Sequence, residues 1–197
     1  MNGIPFRCPW PSNDPLMIDY HDKEWGVPVY DDRKLFEFIL LDAFQAGLSW
    51  KTILYKRAAF SRAFDAFDFE KVAAYDAERI GTLMGDPGII RNRLKVEAAV
   101  KNAAATLRII EKYGSLSAFL WSFVGSKPCI NHWAAVSEVP VSTAVSDRMS
   151  LTLKKEGFSF VGTVICYSFM QAAGMVNDHL VHCFRHRELA EQASATL

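Results

Sequence analysis

Residues 142–175 read STAVSDRMSLTLKKEGFSFVGTVICYSFMQAAGM, and the fold turns on this stretch. It divides into two helical runs, Ser142–Glu156 and Thr163–Met175, joined by Gly157-Phe158-Ser159-Phe160-Val161-Gly162. The join is short, glycine-bounded and apolar at alternate positions, so the chain reverses tightly there. Two architectures have this form. One is an αα-corner that only packs. The other is a helix-hairpin-helix unit, whose turn amides and second-helix N-terminus offer donors to a phosphate. Lys154 and Lys155 flank the join and would add salt-dependent attraction to a polyanion without sequence preference.

The second run lies in an uncharged segment, Phe158 to Asn177, whose 20 residues equal a bilayer span in length. Ser159, Gly162, Thr163, Ser168, Gln171, Gly174 and Asn177 interrupt it, which fits a buried helix entered through a turn better than a membrane helix. Upstream, the periodicity is helical nearly throughout. Asp31–Gly47 opens acidic and is apolar on almost every face, the pattern of a central, covered helix. Ser49–Phe64, Phe69–Tyr75 and Ala77–Met84 follow, then the Asp86-Pro87-Gly88 turn and a long run, Ile90 to Tyr113, closed by Gly114. Ser115 reads as the N-cap of Leu116–Phe123, and Gly125–Pro140 is irregular. No run alternates as a strand would, so the chain reads as all-α. From about Arg187 the tail is polar, Ala-rich and expected to fray.

The 197 residues suit a single domain spanning 1–197. Half of them are hydrophobic and 13% aromatic, ample for a buried core. Lys+Arg and Asp+Glu balance at 22 each, so no global charge argues for nucleic acid, although a neutral protein can carry a basic face. Arg91, Arg93, Lys95 and Lys101 read as a solvated helix face. Met1–Asn13 holds Pro5, Pro9 and Pro11 and has no apolar core, unlike a signal peptide; the expected setting is the cytoplasm.

Four cysteines in such a setting are thiols or metal ligands rather than disulfides. His179 and Cys183 are four apart, one turn in a helix. Cys8 and His21 flank a Pro-rich loop that can fold back. Two Cys and two His make a closed tetrahedral zinc site, which would be structural and would pin the N-terminal segment to a C-terminal helix. The same spacing also arises by coincidence in surface and core residues. Cys129 and Cys166 read as small core residues.

Trp10, Tyr20, Trp25 and Trp50 gather in the first quarter of the chain. Asp42 follows Leu35, Phe38 and Ile39 by seven, four and three residues, which puts a carboxylate on an apolar helical stripe. An unpaired buried carboxylate is costly, so it has either a structural partner or a ligand that pairs with it. Aromatic faces around one acceptor suit a flipped, positively charged purine.

Long segments resemble the bacterial DNA-3-methyladenine glycosylase I family, a branch of the helix-hairpin-helix DNA glycosylases. They include Cys8-Pro9-Trp10, Tyr20-His21-Asp22-Lys23-Glu24-Trp25-Gly26-Val27-Pro28, Gln45-Ala46-Gly47-Leu48-Ser49-Trp50, Gly157 through Gln171 and Asn177-Asp178-His179. The resemblance implies a helix-hairpin-helix DNA glycosylase-like fold with its hairpin at about 142–175 and a polar tail at about 187–197. It implies structural Zn2+ on Cys8, His21, His179 and Cys183, tying the N- and C-terminal segments. The base pocket would fall on Tyr20, Trp50, Trp10, Trp25 and Ser168; the expected DNA contacts, read from the 142–175 stretch itself, are Lys154, Lys155, Gly157 and Gly162. Asp42 stands where the best-known members carry Glu, as the base-recognising carboxylate, and Ala43-Phe44 also depart from the family pattern.

The implied activity is hydrolytic release of 3-methyladenine from alkylated double-stranded DNA by a monomer, leaving an abasic site without strand cleavage. Asp178, beside His179, is expected to orient that ligand from outside. Rival readings are a zinc-stapled module that only binds DNA, and a glycosylase shifted toward another alkylpurine.

Overall fold

The computed structural model of the protein describes residues 6–195. The expectations for residues 1–5 and for the last two residues of the tail lie outside the described part. Ten α-helices follow in order: α1 Pro15–Lys23, α2 Asp32–Gln45, α3 Trp50–Ala63, α4 Phe69–Ala73, α5 Ala77–Gly85, α6 Arg93–Tyr113, α7 Leu116–Trp121, α8 Ala144–Lys155, α9 Thr163–Ala172 and α10 Phe184–Ala195. None is long and apolar enough to cross a membrane.

The centre is α2. Every residue from Leu35 to Phe44 is buried, and α3, α6, α7 and α9 pack around it. Its start is set by Asp31, whose side chain accepts the Lys34 amide. Its end is set by Lys95 of α6, whose ammonium donates to the Phe44 and Ala46 carbonyls at 2.8 and 2.6 Å. Lys95 is therefore buried, not part of a solvated basic face as its neighbours in sequence suggested. Its stem and charge serve the helix that holds Asp42.

Several boundaries shift from the sequence pattern for local reasons. The long helix α6 begins at Arg93 rather than Ile90, because Asn92 caps the Lys95 amide. The last helix of the 142–175 stretch stops at Ala172, because Gly174 takes φ +70 and a Cβ there would lie 2.3 Å from the Val27 carbonyl carbon. That close approach brings the segment bearing Trp25 against the end of α9, with Gly26 and Val29 amides donating to Gln171 and Ala173 carbonyls.

Three expectations are corrected. The stretch between Cys8 and His21, expected as a Pro-rich loop, gives way to a helix, α1, started by Asp14, whose side chain accepts the Leu16 and Met17 amides. Two short parallel strands exist, β1 Cys129–Ile130 and β2 Val176–Asn177, too short for alternation to register. The tail does not fray at Arg187 but continues as α10 to Ala195, held by the buried Leu189 and an Arg185–Glu188 ion pair of 2.7 Å.

The α8–α9 connection is fixed by side chains from behind. Asn102 of α6, fully buried, accepts from the Ser159 amide at 2.7 Å and donates to the Ser159 carbonyl at 3.1 Å. Ser150 donates to the Val161 carbonyl at 2.6 Å. Gly157 takes φ +95, as its place in the turn requires, whereas Gly162 takes an ordinary φ of −62 and caps α9.

Candidate functional site: an aromatic cavity beside a Cys/His cluster

α1, α2, α3 and α9 converge on a cavity of about 240 Å³, smaller than the roughly 300–1,000 Å³ of sites for drug-sized ligands. Trp10, Tyr20, Trp25, Trp50, Asp42 and Ser168 all line it, so the structure brings every expected pocket residue to one wall system. Tyr20 and Trp50 approach at 5.1 Å between ring centroids, and Trp10 and Trp25 at 5.2 Å. Met17, Gln45, Gln171, Val136, Val139 and Asp178 also line it, none of them expected in the pocket from the sequence.

The polar atoms of this wall are unusual. Among the described residues, four buried side-chain polar atoms lack a hydrogen-bond partner, and three of them line the cavity: Asp42 Oδ2, Trp10 Nε1 and Trp50 Nε1. Buried polar groups are nearly always satisfied. Two donors and one carboxyl oxygen left over on one aromatic surface point to a ligand with matching polar edges. Burial alone pushes the Asp42 carboxyl well above the usual carboxylate range, since no cation faces it. Burial, then the nearby Asp42 and Glu24 charges, push the Tyr20 phenol up as well, so it stays a donor.

The neighbouring cluster consists of Cys8, His21, His179 and Cys183, all buried, with ligand atoms within 4.8 Å of one another. His179 Nδ1 stands 3.2 Å from His21 Nε2, 3.5 Å from Cys183 Sγ and 3.7 Å from Cys8 Sγ; Cys183 Sγ stands 3.5 Å from His21 Nε2. The edges of a tetrahedron with metal–sulfur bonds of about 2.3 Å and metal–nitrogen bonds of about 2.05 Å run from roughly 3.3 to 3.8 Å. Four of the six separations lie at or near those edges, so the cluster could hold one four-coordinate divalent ion. The outer nitrogens are also placed: His21 Nδ1 donates to Asp22 at 2.7 Å and His179 Nε2 to the Trp25 carbonyl at 3.0 Å. Arg7 holds Asp22 in turn, at 2.8 Å. The Cys183 thiol is pulled down by its hydrogen bond with Cys8, and further by those with His179 and His21.

Three expectations about this region are corrected. His179 and Cys183 do not share a helix; they lie in the turn between β2 and α10, and that turn brings the pair together. Asp178 does not orient His179. It lines the cavity and its oxygens accept from Asn131, Trp133, Tyr167 and Gln171, while Asp22 is the carboxylate bonded to a cluster histidine. Cys129 is exposed rather than core, whereas Cys166 is buried as expected.

Lys154 and Lys155 are exposed at the end of α8, next to the glycine-bounded turn and the N-terminus of α9. No side chain caps that N-terminus, and Thr163 is engaged by Ser146 and Asp147 at 2.9 and 2.5 Å.

Residues 10–186 match the methyladenine glycosylase family. The DNA-3-methyladenine glycosylase 1 of Escherichia coli strain K12 is 52% identical over 177 residues, covering 90% of this chain and 95% of its own length. A crystal structure of 3-methyladenine DNA glycosylase I superposes with a TM-score of 0.88 at 50% identity, covering 91% of this chain and 98% of the other. A point variant of a 3-methyladenine DNA glycosylase I in complex with 3-methyladenine gives a TM-score of 0.88 at 40% identity, covering 90% and 96%.

Proposed function

Because the chain belongs to the methyladenine glycosylase family, we propose that it hydrolyses 3-methyladenine from alkylated double-stranded DNA. The product is an abasic site, with no strand cleavage. The observation that carries this reading is the aromatic cavity with three unpartnered polar atoms, Asp42 Oδ2, Trp10 Nε1 and Trp50 Nε1. A flipped purine offers a π-face to Tyr20 and Trp50 and polar edges to those atoms.

The lesion makes few chemical demands. A 3-methylated adenine attached to deoxyribose is already cationic, so it leaves as a neutral base. The protein has to extrude it, hold it and admit water. Stacking on the tryptophans favours an electron-poor ring. Asp42, on the rigid α2 and opposed by no cation, accepts from the exocyclic amine directly or through a water. No lysine lines the cavity among the described residues, which supports hydrolysis without a Schiff-base step.

The α8–turn–α9 segment is read as the helix-hairpin-helix that grips a phosphate through Gly157, Gly162 and the α9 amides, with Lys154 and Lys155 adding attraction. Cys8, His21, His179 and Cys183 are read as the ligands of a structural zinc, which holds Trp10 and Trp25 at the cavity by tying their segment to the β2–α10 turn. The protein is taken to work as a monomer in the cytoplasm. The test is chromatographic identification of the bases it releases from methylated duplex DNA. Free 3-methyladenine is expected; binding without release would leave a DNA-binding module, and release of another alkylpurine would shift the specificity.

A further inference from the structure

Two carboxylates line the cavity among the described residues, Asp42 and Asp178, and no lysine or arginine does. They are held in opposite ways. Asp42 has an oxygen without a partner. Asp178, 2% exposed, is saturated. One oxygen accepts from Asn131 Nδ2 at 2.7 Å and Trp133 Nε1 at 2.8 Å; the other accepts from Tyr167 Oη and Gln171 Nε2, both at 2.8 Å. An ionised carboxylate is an acceptor only, with about four lone-pair sites. Four donors fill those sites.

All four donors are neutral groups. They solvate the charge without cancelling it, unlike Arg57, which meets Glu24 and Glu37 as a cation at 2.7 and 2.6 Å. A buried anion with its hydrogen bonds made and its counter-charge missing leaves a negative potential over the cavity. Cys8 also lines the cavity, but two thiolates and one divalent ion sum to zero, so an occupied cluster adds no net charge.

We propose that Asp178 is the specificity-determining anion of the cavity, selecting a positively charged N-alkylated purine over a neutral purine. This rests on the glycosylase reading for the class of ligand. Asp42 then supplies hydrogen bonding to the base edge rather than the standing charge. In the reaction, the electron pair of the glycosidic bond passes to the purine, which becomes neutral, and the positive charge passes to the sugar. Water oxygen bonds to the anomeric carbon and its proton goes to solvent. The attraction to Asp178 is present for the charged nucleotide and absent for the freed base, so the same charge that selects the substrate lets the product go.

The test uses the tryptophans of the wall as reporters. The intact, metal-loaded protein is titrated by fluorescence with 3,9-dimethyladeninium, a permanent cation, and with neutral 3-methyladenine. The cation is expected to bind about tenfold or more tightly. Asp178→Asn should reduce that preference to within about threefold. Asp42→Asn should weaken both ligands and keep their ratio. Equal binding by the parent overturns the proposal, as does a preserved ratio in a folded Asp178→Asn variant. Loss of the ratio in Asp42→Asn also overturns it, by placing the charge on Asp42. If Asp178→Asn does not fold, the Asp42→Asn ratio decides alone, because Asp178 is then the remaining carboxylate on the wall. Base release from methylated DNA by the parent is scored separately. Preference without release refutes the glycosylase reading, and release without preference refutes the role of Asp178.

Discussion

At the scale of single residues, the recognition role proposed for Asp42 is set against stability. Its carboxyl is 2% exposed and one of its oxygens is unpartnered, so ionising it in place is costly. Burial holds its folded-state pKa well above the ordinary carboxylate range, so the native state holds its proton more tightly than the unfolded chain does. Stability from this residue therefore falls as pH rises past about 3.8, until the raised pKa is reached. Asn at this position does not titrate. Asp42→Asn is expected to melt higher than the parent at pH 8, with the gain shrinking toward pH 4; melting curves of both proteins across that range check it. The same variant should excise 3-methyladenine at least about tenfold more slowly, roughly 1.4 kcal/mol. Asp42→Glu should keep or raise the rate. The sequence made Asp42 visible, because a carboxylate interrupting an apolar helical stripe is anomalous within a single helix. Asp178 was misread, because its four partners come from positions 131, 133, 167 and 171 and no local pattern joins them.

At the scale of elements, the turn between α8 and α9 carries two glycines with different physical reasons. Gly157 takes φ +95, and a Cβ there would stand 2.7 Å from Arg108 Nη2. Gly162 takes φ −62 with nothing within 4 Å of a Cβ. Gly157→Ala should cost roughly 1–2 kcal/mol in denaturant unfolding. Gly162→Ala should leave stability unchanged and weaken DNA binding, since a methyl group there intrudes only on what approaches from outside. Equal DNA affinity for Gly162→Ala and the parent would remove this turn from the interface. Replacing Lys154 and Lys155 together by Ala should weaken binding to damaged and undamaged duplexes alike. It should also lower the salt slope by about 1 per lysine, read from binding isotherms at several salt concentrations. Helix identity was largely legible, because caps at Gly114 and Ser115, acidic openings and the 3.6-residue period are local signals. The first helix was hidden by the prolines around it, although Asp14-Pro15 is itself a start signal.

At the scale of the whole molecule, the Cys/His cluster joins Cys8 and His21 to His179 and Cys183, at least 158 residues away in the chain. With a zinc ion on those four residues, purified protein should contain about one zinc per chain by elemental analysis. Cys183→Ser should lower the melting temperature by roughly 5 °C or more, about 2 kcal/mol for a chain of this size, and more than it lowers the rate of base release at low temperature. Absence of stoichiometric zinc from protein never exposed to chelator would refute that reading. The sequence by itself determined the helical class, the central helix and the tight turn between two helices at 142–175, because each is written in the spacing of apolar residues, glycines and caps within one segment. It also picked out Asp42 and the aromatics Trp10, Tyr20, Trp25 and Trp50, which line the cavity. The tertiary structure alone decided that Lys95 ends α2 from within, that a turn rather than a helix presents His179 and Cys183, and that Asp178 faces the cavity. Those outcomes depend on burial and on partners supplied by distant segments, and hydrogen bonds between such segments leave no period in the chain.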